Sequence, residues 1–255
     1  NNRYRHSHGL TSQFARLVEW LVPDKPVEEI TVIRPKYLDE ELLETPSLAL
    51  DRVRLEIGHM GDCFKDMLEQ ILPAVLGGDK ETLTRIARID DDEDILYEHV
   101  IEYLGKISRK SLTGEQPGIL LGLMRAANDL ETMADIIEKD LVALGRQRID
   151  ENINISADTR HVLTTLHEMI SKATELAITA AVDNDMEAAT YSIGMKARID
   201  SLVDSAARHE ANRLVADEPG RLAAYTLEVD IIEKLKSIYY FAKRIAKKVA
   251  PPGEV

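Results

Sequence analysis

A chain of 255 residues with 44% hydrophobic and only 5% aromatic residues is long enough to bury a sizeable core. Its Ala, Leu, Ile and Met side chains suit packed helices rather than a sheet, so an all-α fold is expected. A formal charge of −13 excludes general binding to nucleic acid and makes cations the natural small partners. Cys63 is the sole cysteine, which rules out an intrachain disulfide and points to a reducing compartment. No stretch approaches the roughly 20 apolar residues that a membrane-crossing helix needs. The chain opens on Asn1 rather than Met, which points to a piece of a longer protein.

Residues 1–36 stand apart as a lead and linker. Phe14, Leu17, Val18 and Leu21 give 10–22 a short amphipathic helical pattern that Pro23 ends, and Pro26 and Pro35 mark an extended connector. Six Lys and Arg against four Asp and Glu reverse the charge sign of the rest of the chain. Such a basic, Trp-bearing stretch suits either a membrane surface or docking on its own domain. His6 and His8 alternate within it.

A first three-helix unit is expected over 37–150. Thr45 and Pro46 read as an N-cap and first-turn proline. Leu50, Val53, Ile57, Met60, Phe64, Met67 and Ile71 then form one seam up to Gly77-Gly78, with glycine in a left-handed stop and Asp79 capping the next helix. Helix two, about 80–108, carries Leu83, Ile86, Leu96, Val100, Tyr103 and Ile107, interrupted by five consecutive acids from Asp90 to Asp94. After the break at 113–118, helix three runs to about 144 before Gly145, with Leu123, Leu130, Met133, Ile137, Leu141 and Leu144 inward.

The second unit, 151–255, repeats this order. Helix four (about 157–182) uses Val162, Leu166, Met169, Ala173, Leu176 and Ala180, and Asp183-Asn184-Asp185 makes the turn. Helix five spans about 186–215 with Ile193, Ile199, Leu202, Val203 and Ala206. Asp217-Glu218-Pro219-Gly220 breaks the chain, helix six carries Leu227, Ile231, Leu235, Ile238, Ala242 and Ile245, and Pro251-Pro252-Gly253 stop it. Each unit leaves apolar surface for the other to cover, which predicts one six-helix body.

Glu131 and Asp135, four residues apart, project from one helical face and cost about a few tenths of a kcal/mol when unpaired. Either Lys139 relieves Asp135, or the two are metal ligands completed by Asp91, Asp94 and Glu98 on one face of helix two. Hard oxygen donors suit Mg²⁺, Ca²⁺, Mn²⁺ or ferric iron. His59 beside the first seam reads as structural, and His161, His167 and His209 lack metal-like spacing. No Gly-x-Ser-x-Gly, Walker-type phosphate loop or Cys-x-x-Cys is present, so an enzyme is not expected.

The repeated three-helix plan, with Asn128-Asp129-Leu130-Glu131-Thr132-Met133-Ala134-Asp135-Ile136 in its third helix, resembles PhoU-type phosphate-transport regulators. That resemblance implies an acid-x-x-x-Asp motif holding a metal cluster, with Glu131 and Asp135 as ligands; Ile136 stands where many members have His. In the second unit the pattern keeps Glu233 as a candidate ligand, and Ser237 replaces the aspartate. Tyr37-Leu38-Asp39, Leu43-Glu44-Thr45-Pro46-Ser47-Leu48-Ala49-Leu50 and Ile238-Tyr239-Tyr240-Phe241-Ala242-Lys243-Arg244-Ile245-Ala246 further resemble the cytoplasmic C-terminal domain of bacterial sodium/phosphate cotransporters. This implies a non-enzymatic regulatory domain on the cytoplasmic face of the inner membrane. Its implied partners are the membrane-spanning part of the same transporter, phosphate or metal ions, and a second copy in a homodimer. A stand-alone PhoU-type signalling regulator and a metal-independent helical dimerisation scaffold are the competing expectations.

Overall fold

The first described element is a 3₁₀ turn, Glu40–Glu44, which Asp39 opens by accepting from the Glu41 N–H at 2.9 Å. A computed structural model describes residues 32–215 and 220–250 of the chain. The expected helix at 10–22, His6, His8, Pro23, Pro26, the acids of the 217–219 break and the closing Pro251-Pro252-Gly253 lie outside the described residues. Among the described residues every regular element is helical: α1 (Pro46–Gly77), α2 (Lys80–Ser108), α3 (Gln116–Asp135), a π segment (Ile136–Leu141), α4 (Val142–Asp150), α5 (Ala157–Asp183), α6 (Met186–Gly194), α7 (Lys196–Leu214) and α8 (Arg221–Ala246). Counting α3, the π segment and α4 as one arm, and α6 with α7 as another, gives six arms in the expected order.

The first arm buries its whole seam from Leu50 to Ile71 against α2 and α3, because the three-and-four spacing keeps those side chains on one stripe. Arm α5 plays the same part for α6, α7 and α8, and α1 also packs on α5, so the two trios share a core. On α5 the inward stripe is Leu163, Leu166, Ile170, Ala173, Ala177 and Ala180; the expected Val162, Met169 and Leu176 flank it half-buried. Gly61 lets the two long arms approach closely, since a Cβ there would lie 2.7 Å from Ile178 Cγ2. Residues 33–255 cluster as one compact unit.

Several ends differ from the sequence expectation. Thr45 makes no side-chain cap bond, although Pro46 does occupy the first turn. Gly78 is extended (φ −79°, ψ −177°), not left-handed; a Cβ there would lie 2.7 Å from the Ala74 Cα, so close approach explains the glycine. Asp79 caps α2 as expected, accepting from the Thr82 N–H at 2.8 Å. Gly145 does not stop its arm but sits inside α4, where a Cβ would meet Leu83 Cδ2 at 2.8 Å. The fifth arm breaks at Met195 into α6 and α7. Asn184, left-handed at φ 54°, makes the expected turn before α6.

The stretch before α1 is tied down by charge. Glu56, fully buried, accepts from the Lys36 and Tyr37 N–H groups at 3.0 and 2.8 Å and pairs with His59 Nδ1 at 2.8 Å. His59 is therefore the buried structural histidine expected from its position beside the seam. Tyr103 adds a hydroxyl donated to the Asp39 carbonyl at 2.5 Å.

Candidate metal centre between α2, α3 and the π segment

The apolar stripe of α2 runs Leu83, Ile86, then Leu96, Val100, Tyr103 and Ile107, and two acids occupy its middle. Asp90 is buried, and Glu93 is 0% exposed with neither carboxylate oxygen hydrogen-bonded. Opposite them stand Glu131 and Asp135 at the end of α3 and Glu138 in the π segment, all half-buried. One carboxylate oxygen each from Asp90, Asp135 and Glu138 lie within 4.8 Å of one another. The buried Glu138 Oε2 also lacks a partner. An unpaired buried carboxylate costs several kcal/mol, on the order of that for any unsatisfied buried charge.

The electrostatics follow from that crowding. Burial, and then Asp90, Asp94, Glu131 and Asp135, push the Glu93 carboxyl up to about 9. Burial, then Asp94, Glu138 and Asp135, push Asp90 up to about 7. Asp94 and Glu131 are raised as well, by burial first and then by Asp135. Lys139 bonds Asp135 one turn along, as the charge-relief reading expects, but its side chain is 63% exposed and feels acids from three elements, Asp135, Glu138 and Asp90. The three grouped donors are all carboxylate oxygens, and burial and then Asp92 and Glu93 push the nearby Cys63 thiol up to about 12. Such a group fits a hard divalent or ferric cation, which would supply the positive charge that the buried oxygens lack.

Of the six residues singled out in the sequence, Asp135 is in the three-acid group, and half-buried Glu131 and exposed Asp94 lie near enough for its charge to raise their carboxyls. Asp91 and Glu98 are exposed on α2 and contribute through their field on Asp94. Glu233 is exposed on α8 and stands outside the group. Sequence reasoning missed Asp90, Glu93 and Glu138. The signal was present for all three: continuing the α2 seam by threes and fours from Ile86 to Leu96 lands on Asp90 and Glu93, and continuing the Glu131–Asp135 face by three lands on Glu138.

The second trio treats its buried acids differently. Glu210 and Glu228, both 0% exposed, clamp the Arg221 guanidinium at 2.7 and 2.5 Å. Thr159 also donates to Glu210 at 3.2 Å. On α7, Lys196 bonds Asp200 at 2.5 Å, and Lys236 and Lys243 from α8 add to the field that lowers the Asp200 carboxyl. Lys234 pairs with Asp140 at 2.9 Å, joining α8 to the π segment.

Comparison with known proteins agrees with this architecture. Residues 57–139 match the PhoU domain family, the span that contains every member of the acidic cluster. The chain is 27% identical over 175 residues to the candidate inorganic phosphate export protein YjbB of Escherichia coli strain K12, and 26% identical to that of Salmonella typhimurium strain LT2. In each case the match covers 69% of this chain and 32% of the relative, so the chain spans about a third of the length of the curated relatives it matches. Among solved structures, PhoU from Pseudomonas aeruginosa superposes with a TM-score of 0.72 at 18% identity, covering 78% of this chain and 94% of that one. The phosphate transport system regulatory protein PhoU from Streptococcus pneumoniae gives 0.70 at 15% identity, covering 80% and 95%. The chain carries a PhoU-like domain on an all-α, six-helix plan.

Proposed function

We propose that this chain is the non-enzymatic regulatory domain of a sodium-coupled phosphate transporter, lying at the cytoplasmic face of the inner membrane and holding a metal ion at its α2/α3 acids. The observation that carries the reading is the fully buried Glu93, unpartnered beside Asp90, Asp135 and Glu138 in a PhoU-like bundle. A cation at that point would satisfy oxygens that the protein itself leaves bare, with Asp90, Asp135 and Glu138 as first ligands and Glu93, Asp94 and Glu131 as supporting charge. No described helix is long and apolar enough to cross a membrane; in this reading transport belongs to a separate, membrane-spanning part. The match to a third of a phosphate export protein supports attachment to such a part. A ligand acts on transport only by binding one conformation better than another, so regulation would work through the differential affinity of this cluster.

The test is phosphate flux in vesicles under an imposed sodium gradient, with the protein carrying or lacking residues 33–255 and with Mn²⁺ present or chelated. Altered flux that depends on the domain and on metal supports the reading; identical flux in all four conditions defeats it. A stand-alone PhoU-type regulator is favoured by a different observation, the 94–95% coverage of the solved PhoU chains. Co-purification with a separately encoded phosphate transporter distinguishes it from the attached domain.

A further inference from the structure

Charge is spread unevenly over this acidic chain. From Lys234 to Ala250, the second half of α8 and the turn after it carry no acid, and the stretch ends in Lys243-Arg244 and Lys247-Lys248. Tyr240, Arg244, Lys247 and Lys248 are exposed. The Arg244 guanidinium lies over the Tyr240 and Phe241 rings, 5.8 and 5.3 Å from their centroids, so cation and aromatics form one surface. Neighbouring helices extend it. The exposed Arg125 of α3 joins Arg244 and Lys248 around the buried Asp129, which Arg244 holds at 3.2 Å. One turn before Arg125, Leu121 is 52% exposed. On the other flank, burial and then Lys247 and Lys196 of α7 lower the Lys243 ammonium. The dipole of α8 accounts for cations in its own last turn, not for those contributed by α3 and α7. Asp129 and Asp200 are occupied by Arg244 and Lys196, and Arg125, Lys243, Lys247 and Lys248 have no acid at ion-pair distance among the described residues. The face also lies at the end of the bundle where the backbone enters α1. A groove there is lined by Arg54 of α1, Gly118 of α3, Ala181 of α5 and Lys248. Two residues after Arg54, Glu56 anchors the Lys36 and Tyr37 N–H groups.

We propose that this basic, aromatic face of α8 and α3 lies against an anionic phospholipid bilayer, with Arg125, Arg244, Lys247 and Lys248 at the headgroup phosphates and Tyr240 in the interfacial layer. The inference rests on the reading of the chain as a domain attached to a membrane-spanning part, and it adds which face meets the lipid. A chain of net charge −13 is repelled by such a surface everywhere else, so the contact selects one orientation. Each basic side chain held at the surface favours the bound state about fivefold, and a tyrosine with one apolar and one wet end suits headgroup depth.

Co-sedimentation of the whole chain with vesicles tests it, in chelator so that divalent ions do not bridge the protein's acids to lipid. Binding is expected to vesicles of equal parts phosphatidylglycerol and phosphatidylcholine, not to phosphatidylcholine alone, and is expected to be lost near 1 M salt, where charges act only within about 3 Å. Lys247→Glu with Lys248→Glu should weaken binding about tenfold or more. Tyr240→Ser should weaken it severalfold, and decides the matter if circular dichroism shows the charge-reversed chain unfolded. No binding to the anionic vesicles overturns the proposal. So does binding that both folded variants leave unchanged, which assigns the contact to the basic stretch at 1–36. Domain-dependent phosphate flux without lipid binding overturns this inference and leaves the transport reading standing; lipid binding with flux indifferent to the domain does the reverse.

Discussion

Glu93 in the first trio and Glu210 and Glu228 in the second are equally buried and resolve the cost in different ways. In the second, Glu210 and Glu228 share Arg221, whose guanidinium offsets one of the two charges, while burial and then Glu210 push the Glu228 carboxyl up to about 7. In the first, Glu93 has no partner, and Asp90, Asp94, Glu131, Asp135 and Glu138 press on one another with the exposed Lys139 as their nearby relief. The contrast teaches that burial of carboxylates is not in itself a mark of a site. What marks one is burial whose counter-charge the polypeptide does not supply.

The largest test of the contrast removes the internal counter-ion. Arg221→Met leaves Glu210 and Glu228 buried together, and urea unfolding should show a loss of about 3–5 kcal/mol. A loss under about 1 kcal/mol would erase the distinction between the two halves. The converse test adds an external counter-ion to the first half: Mn²⁺ at about one hundred times its Kd should stabilise the native chain by about 2.7 kcal/mol. Glu131→Gln with Asp135→Asn should abolish that gain while leaving the second half unaffected.

A third test uses protons in place of metal. In the folded, metal-free chain Glu93 titrates near 9 against a reference of 4.5, so the folded state holds the proton more tightly. Its contribution is fully present below the reference value and is lost progressively as pH rises towards 9. Glu93→Gln should flatten that decline and gain about 2 kcal/mol at pH 8, measured by urea unfolding in chelator. An unchanged pH profile would show that Glu93 is not the strained group. Metal affinity should show the opposite slope, rising with pH as the ligands shed protons. The smallest effect is expected for Lys139→Met: the exposed ion pair with Asp135 contributes less than about 1 kcal/mol, so stability barely moves while Mn²⁺ affinity rises a few-fold.

Much of this molecule was legible in the sequence. The seams of α1 and α8 repeat by threes and fours without ambiguity, that of α2 does so on either side of its acid run, and each of their named residues is buried. On α5 two parallel stripes, one through Val162 and Met169 and one through Leu163 and Ile170, are both apolar, and periodicity alone does not say which faces inward. Glu131 and Asp135 were visible from their spacing. Asp90 and Glu93 were hidden because a run of five acids reads as a solvated face unless the phase of the flanking leucines is carried through it. Glu138 was legible too: it extends the Glu131–Asp135 face by the next step of three, and the pattern was not carried past Asp135.

That wide segment, Ile136–Leu141, has a mechanical implication. Rewinding it at ordinary pitch with its surplus residue kept would swing everything downstream by about 100°. Gly145 would leave its slot beside Leu83, and Arg148 would lose the Val75 and Gly78 carbonyls, both held at 2.6 Å. The surplus winding is thus pinned at its far end like a spring between two stops, and the carboxylates of Asp135 and Glu138 keep their spacing because the coil has nowhere to unwind.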